Sequence, residues 1–152
     1  MPRLEYFVVS ESSAIDQVSG RVSLFHILEH LRPQRFPAFI PKCVATVTLV
    51  FEDDEIGRDY QVVFSLSRPG VEEIDEVSVN FTPGARSHRI LQRSMGMPIK
   101  AQGCLRFGVK VVDTTIEAHH EIKVHGADPG QATDGTLVYS PNPTDVAPSE
   151  GS

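Results

Sequence analysis

No apolar run in this chain approaches the roughly 18 residues that cross a bilayer as a helix. The N-terminal run Tyr6-Phe7-Val8-Val9 is ended by Ser10-Glu11 before it reaches the length of a signal-peptide core. Neither a membrane span nor a secretory leader is expected, and the composition reads as that of a cytoplasmic protein. Cysteine is scarce. Cys43 and Cys104 both fall inside apolar alternating patterns, where a thiol packs as a small hydrophobe. Both are expected as buried thiols rather than as a disulfide. The sequence signatures of catalysis are missing as well. There is no Gly-x-Ser-x-Gly elbow, no Gly-x-x-x-x-Gly-Lys phosphate loop, no Cys-x-x-Cys, no His-Glu-x-x-His and no calcium-loop pattern. No cofactor is expected.

What is present divides unevenly. Of 152 residues, 40% are hydrophobic, enough for one packed core. The net charge is −6, but residues 126–152 hold Asp128, Asp134, Asp145 and Glu150 with no Lys or Arg. The rest of the chain therefore carries 14 basic and 16 acidic residues. Such a near-neutral domain argues against non-specific nucleic-acid binding. Gly126-Ala127-Asp128-Pro129-Gly130 opens the C-terminal stretch, and Pro141, Pro143 and Pro148 punctuate it. A domain over 1–125 followed by a flexible, acidic, Pro/Gly-rich tail over 126–152 is the expected organisation. The tail lacks the apolar surface needed to offset chain entropy. One patch in it, Thr136-Leu137-Val138-Tyr139, has the composition of a short strand that docks on the domain or on a partner.

Within the domain, apolar residues recur with period two, the signature of strands buried on one face. Cys43, Ala45, Val47, Leu49 and Phe51 share a face opposite Thr46 and Thr48. Tyr60, Val62, Phe64 and Leu66 line up, as do Val77, Val79 and Phe81. So do Leu105, Phe107, Val109 and Val111, and then Ile116, Ala118, His120, Ile122 and Val124. Further strands are predicted near 4–10, 22–30 and 87–94. The stretch 22–31 also fits helical spacing, but a strand suits the surrounding pattern better. Asp53-Asp54-Glu55-Ile56-Gly57 and Asp113-Thr114-Thr115 read as hairpin loops, while Arg68-Pro69-Gly70 and Thr82-Pro83-Gly84 break the chain sharply. Pro33, Pro37 and Pro41 exclude a central strand, so Phe36, Phe39 and Ile40 are expected to tuck a loop against one end. About eight short strands in this arrangement predict an all-β antiparallel sandwich, immunoglobulin-like or C2-like, with a barrel as the alternative.

Asp16 to Gly20 with Arg21-Val22-Ser23-Leu24-Phe25, Phe36-Pro37, Ile40-Pro41 leading into Cys43–Phe51, Met97-Pro98-Ile99, Gly103 and Leu105-Arg106-Phe107 together give the chain a resemblance. Over roughly residues 4–124 it resembles a family of small bacterial domains of unknown function. The shared residues are turns, prolines and core positions, so the resemblance implies a fold and assigns no catalytic residue.

Candidate sites remain. On the last strand, alternation places Glu117, His119, Glu121, Lys123 and His125 on one face. His119 and Glu121 lie about 6.5–7 Å apart along the strand. With His125 and a donor from a neighbouring strand, they are the candidate metal ligands. His120 faces the core, where a hydrogen-bonded histidine is expected. Arg86, Arg89 and Arg93 stand in a segment, residues 86–110, that has no Asp or Glu. They are expected to pair with the acidic 72–76 segment, or alternatively to hold an anionic partner. Phe36, Phe39, Leu137, Val138 and Tyr139 are candidate partner contacts. The favoured reading is a binding or assembly module that works through protein–protein contacts, including contacts with a second copy. The alternative is a metal-dependent hydrolase built on His119, Glu121 and His125.

Overall fold

The computed structural model describes residues 1–126. Its strands are β1 (Arg3–Ile15), β2 (Val22–Ile27), β3 (His30–Leu31), β4 (Ala38–Val50), β5 (Tyr60–Ser67), β6 (Ile74–Phe81), β7 (Ser87–Ile99), β8 (Gly103–Val111) and β9 (Glu117–Val124). They form two sheets, in the orders β2-β1-β4-β7 and β3-β9-β8-β5-β6. The architecture is an all-β sandwich. No helix among the described residues is long and apolar enough to cross a membrane.

The two-residue rhythm decides which side of each strand is buried. Val9, Cys43, Ala45, Val47 and Leu49 of one sheet face Val62, Phe64, Leu105, Phe107, Val109 and Ile122 of the other, all within one continuous core. Each of the Val, Leu, Ile and Phe side chains among them contributes about 1.5–3 kcal/mol when fully buried. Phe51, Tyr60 and Phe81 close one end of this core, with ring centroids 5.1–6.1 Å apart. One flank is closed by residues 28–31, which cross from β2 to the opposite sheet. Leu28 N donates to Val9 O at 3.0 Å, Lys123 N to Glu29 O at 2.9 Å, and His125 N to Leu31 O at 2.9 Å.

Several expectations need correction. The strand expected near 22–30 is two, because His26 adopts φ 55° and the chain then leaves the first sheet. β3 pairs with β9 in parallel, so the second sheet is mixed rather than wholly antiparallel. The Asp53–Gly57 loop is not a hairpin. It contains a 3-10 turn at Asp53–Glu55 and carries the chain between sheets, since β4 and β5 lie in different ones. The Asp113–Thr115 connection is a hairpin, joining β8 to β9. Pro41 lies inside β4, a central strand. It is tolerated there because β1 pairs with β4 only from Val44 onward, leaving residues 38–42, among the described residues, with a partner on the β7 side alone. At the ladder position facing Pro41, β7 carries Gly96 at φ 64°, a left-handed conformation that favours glycine.

Candidate functional site

Among the described residues, the flank opposite the 28–31 crossover is open: β7 ends the first sheet and pairs with β4 alone, and β6 ends the second and pairs with β5 alone. A strand at a sheet edge presents unpaired backbone N–H and C=O groups, which template the addition of another strand. Between these two edges lies a cavity of about 260 Å³. Ala45, Gln92 and Ser94 line it from the first sheet; Phe64, Leu66 and Phe107 line it from the second. Its mouth carries Val77 and Met95, which are 45% and 83% exposed. Ile74, at the start of β6, is also exposed. The Arg68 guanidinium pairs with Asp75 at 3.0 Å on the rim, and its Nε is buried without a hydrogen-bond partner among the described residues.

The arginine row divides. Arg86 makes a two-point contact with Asp53, Nε to Oδ1 at 2.7 Å and Nη2 to Oδ2 at 2.6 Å. The guanidinium holds the Asp53 carboxyl below the usual carboxylate range, and the carboxylate in turn raises Arg86. The expected pairing with 72–76 does not form. β6 and β7 belong to different sheets, and Asp75 and Glu76 stand opposite Leu66 and Ser65 of β5. Arg89 is half-buried on the outer face and donates to the Gly20 carbonyl at 3.4 Å. Arg93 is exposed and lines a shallow recess with Lys42, Glu11 and Met95.

On β9 the metal candidates are spread apart. His119 lies 3.5 Å from its neighbour Glu117, and Glu121 lies 3.5 Å from Arg106. His125, just past the strand, stacks on His30 with Nδ1 of His30 and Nε2 of His125 at 3.0 Å. Among the described residues, no three His, Cys, Asp or Glu side chains are grouped to hold a metal ion. His120 does point inward, hydrogen-bonded between the sheets. Phe36 is partly buried against the core, and Phe39 is half-buried on β4 opposite Pro98. Leu137, Val138 and Tyr139 lie outside the described residues.

Alternation did not reveal one pair. The Glu11 carboxylate, only 5% exposed, accepts from His26 Nδ1 at 2.6 Å across β1 and β2. Glu11 and Cys43 border the same recess. Burial pushes the Cys43 thiol up to about 11, against a smaller lowering by the Ser94 side chain. A thiol so protonated is a packing group and not a nucleophile. Cys104, expected buried, is exposed. It stands opposite Lys123, on the side of β8 that faces away from Leu105 and Phe107. The alternation that buries Leu105 puts Cys104 outside.

No family model and no curated protein matches the chain.

Proposed function

We propose that this protein is a non-catalytic binding module that takes up an extended peptide segment along the β7 edge. The observation carrying this reading is the coincidence of a strand at the edge of its sheet among the described residues with an apolar cavity that opens beside it. β-strand addition works through this pairing of features: main-chain hydrogen bonds give affinity, and pockets for alternate side chains give selectivity. The chemistry of the edge defines its ligand. β7 carries Arg89 and Arg93 and no acid, and Lys100 follows it. A suitable segment therefore carries acidic groups beside two apolar side chains spaced i and i+2. A cytoplasmic setting and membership of the bacterial family resembled above belong to the same reading, as does pairing of two copies through this edge.

A panel of labelled synthetic peptides, acidic and with apolar pairs at i and i+2, tests it by fluorescence anisotropy. At least one member should bind the native chain and lose about tenfold in affinity on Val77→Lys or Arg93→Glu, both exposed positions whose folding cost is small. A panel that binds nothing, or binds the variants equally well, overturns the reading.

A further inference from the structure

We propose that the chain carries its own ligand for the β7 edge: the segment Thr136-Leu137-Val138-Tyr139 occupies that edge in cis and competes with partner peptides. The inference rests on the reading of β7 as a peptide-binding edge, and it names the resident occupant. Position is the first argument. The described chain ends at Gly126, packed on Gln102, in the turn between β7 and β8. That turn in turn packs on the β5–β6 turn, since a Cβ on Gly103 would meet Pro69 at 2.9 Å and one on Gly70 would meet Ala101 at 3.2 Å. Arg68, which begins the β5–β6 turn, is on the cavity rim. From β9 to β6 is three strand spacings, about 14 Å, and the facing sheet is about 10 Å away.

Leu137 follows Gly126 by eleven residues. Eleven residues reach at most about 36 Å, which covers the distance required.

Side-chain chemistry is the second argument. Leu137 and Tyr139 are two apart, so a strand formed by this segment places both on one face. Ala45, Phe64, Leu66 and Phe107 offer an apolar surface for that face.

Charge selects the edge. The stretch 127–152 contains Asp128, Asp134, Asp145 and Glu150 and no Lys or Arg. β6, the neighbouring edge, carries Asp75 and Glu76 with Glu72 and Glu73 leading into it, and repels such a segment. β7 carries Arg89 and Arg93 and attracts it. The opposite flank is closed by the 28–31 crossover.

The test uses the full-length chain throughout. A fluorescein-labelled synthetic peptide with the sequence of residues 131–142 is titrated into the native protein and into the variant Leu137→Asp/Tyr139→Asp. A short tether gives the resident segment a millimolar effective concentration, so the variant should bind the peptide about tenfold more tightly than the native chain. Adding Val77→Lys to the variant should remove the binding. Hydrogen exchange supplies a second readout. Amides of residues 87–95 should be protected in the native chain at all protein concentrations and lose that protection in the variant. Equal, measurable binding by both proteins overturns the inference and leaves the edge reading standing. Binding by neither overturns the inference, and the peptide panel then judges the edge reading on its own. Protection that grows with protein concentration assigns the contact to a second copy and also overturns the inference.

Discussion

His120, on one sheet, is hydrogen-bonded to the backbone of Val9, on the other. Its Nδ1 accepts from the Val9 amide at 3.4 Å, and its Nε2 lies 2.6 Å from the Leu28 carbonyl. A carbonyl only accepts, and a backbone amide only donates, so the proton must sit on Nε2. One ring therefore ties β9 to β1 and to the crossover that closes that flank. Removing it leaves an amide and a carbonyl without their partner. His120→Ala should cost about 2 kcal/mol in urea denaturation, with the denaturant slope unchanged. His120→Gln, which keeps one donor and one acceptor, should recover part of the loss. A cost for the alanine variant below about 0.5 kcal/mol would show that the bridge contributes little.

The inward direction of His120 was legible in its apolar neighbours, but its partners were not, because Val9 and Leu28 approach it only through topology. Most of the fold was legible in the same local way. Period two located the strands, since a side chain buried between two layers must recur at every second residue. It failed where neighbouring strands decided the outcome. Cys104 sits in an apolar context, yet the strand's phase turns it outward. Pro41 looked incompatible with a central strand because the sequence does not reveal that β1 reaches only to Val44 on that side. For the site, Arg93 could be read as basic. The Val77–Met95 cavity mouth could not, because the strands that form it belong to different sheets.

Thr46 and Thr48 carry the next prediction. They lie on the face of β4 opposite the core residues, yet they are 0% and 3% exposed, and neither hydroxyl has a hydrogen-bond partner among the described residues. Their strand lies between β1 and β7, so Val8 and Leu91 flank Thr46 while Tyr6 and Arg89 flank Thr48. These neighbours cover the outer face of β4. A buried hydroxyl without a partner costs about 1–3 kcal/mol. Thr46→Val keeps the shape and β-branching and removes that cost. It should raise stability by about 1 kcal/mol, seen as a higher urea midpoint. A lower midpoint would mean that the hydroxyl is bonded in solution.

The two thiols should differ in reactivity. Cys43 is 1% exposed, and burial holds its thiol at about 11. Cys104 is exposed, and its thiol is raised first by partial desolvation and then by the charge of Glu121. Because the thiolate is the reacting form, both should label slowly at neutral pH, and Cys104 far sooner than Cys43. Titration with an aromatic disulfide reagent should give one accessible equivalent in the native protein and a second only after denaturant is added. Cys104→Ser should remove the first. Two equivalents at equal rates in the folded protein would contradict the burial of Cys43.

His88 gives the fold a pH dependence of defined sign. Its ring stacks on Phe81 at 4.8 Å with an interplanar angle of 16°, beside the Phe51–Tyr60 pair, and burial holds its imidazole below the ordinary value. An unfolded histidine takes up a proton near pH 6.5. Above that pH both states are neutral at this position, and its contribution to stability is fully present. As the pH falls below about 6.5, the unfolded chain binds the proton first and the folded state loses stability. The loss ends once the pH drops below the folded-state value, where both forms are charged. Asp53 and Glu55 are held below their ordinary values, so their contributions are lost at lower pH, in the carboxylate range. Replacing His88 by Phe keeps a ring in the stack and removes the proton site. The stability of His88→Phe relative to the native chain should therefore rise as the pH is taken from about 7.5 to about 5.5, as measured by urea denaturation at each pH. A difference that stays flat across this range would show that the ring is hydrated in the folded protein and titrates as it does in the unfolded chain.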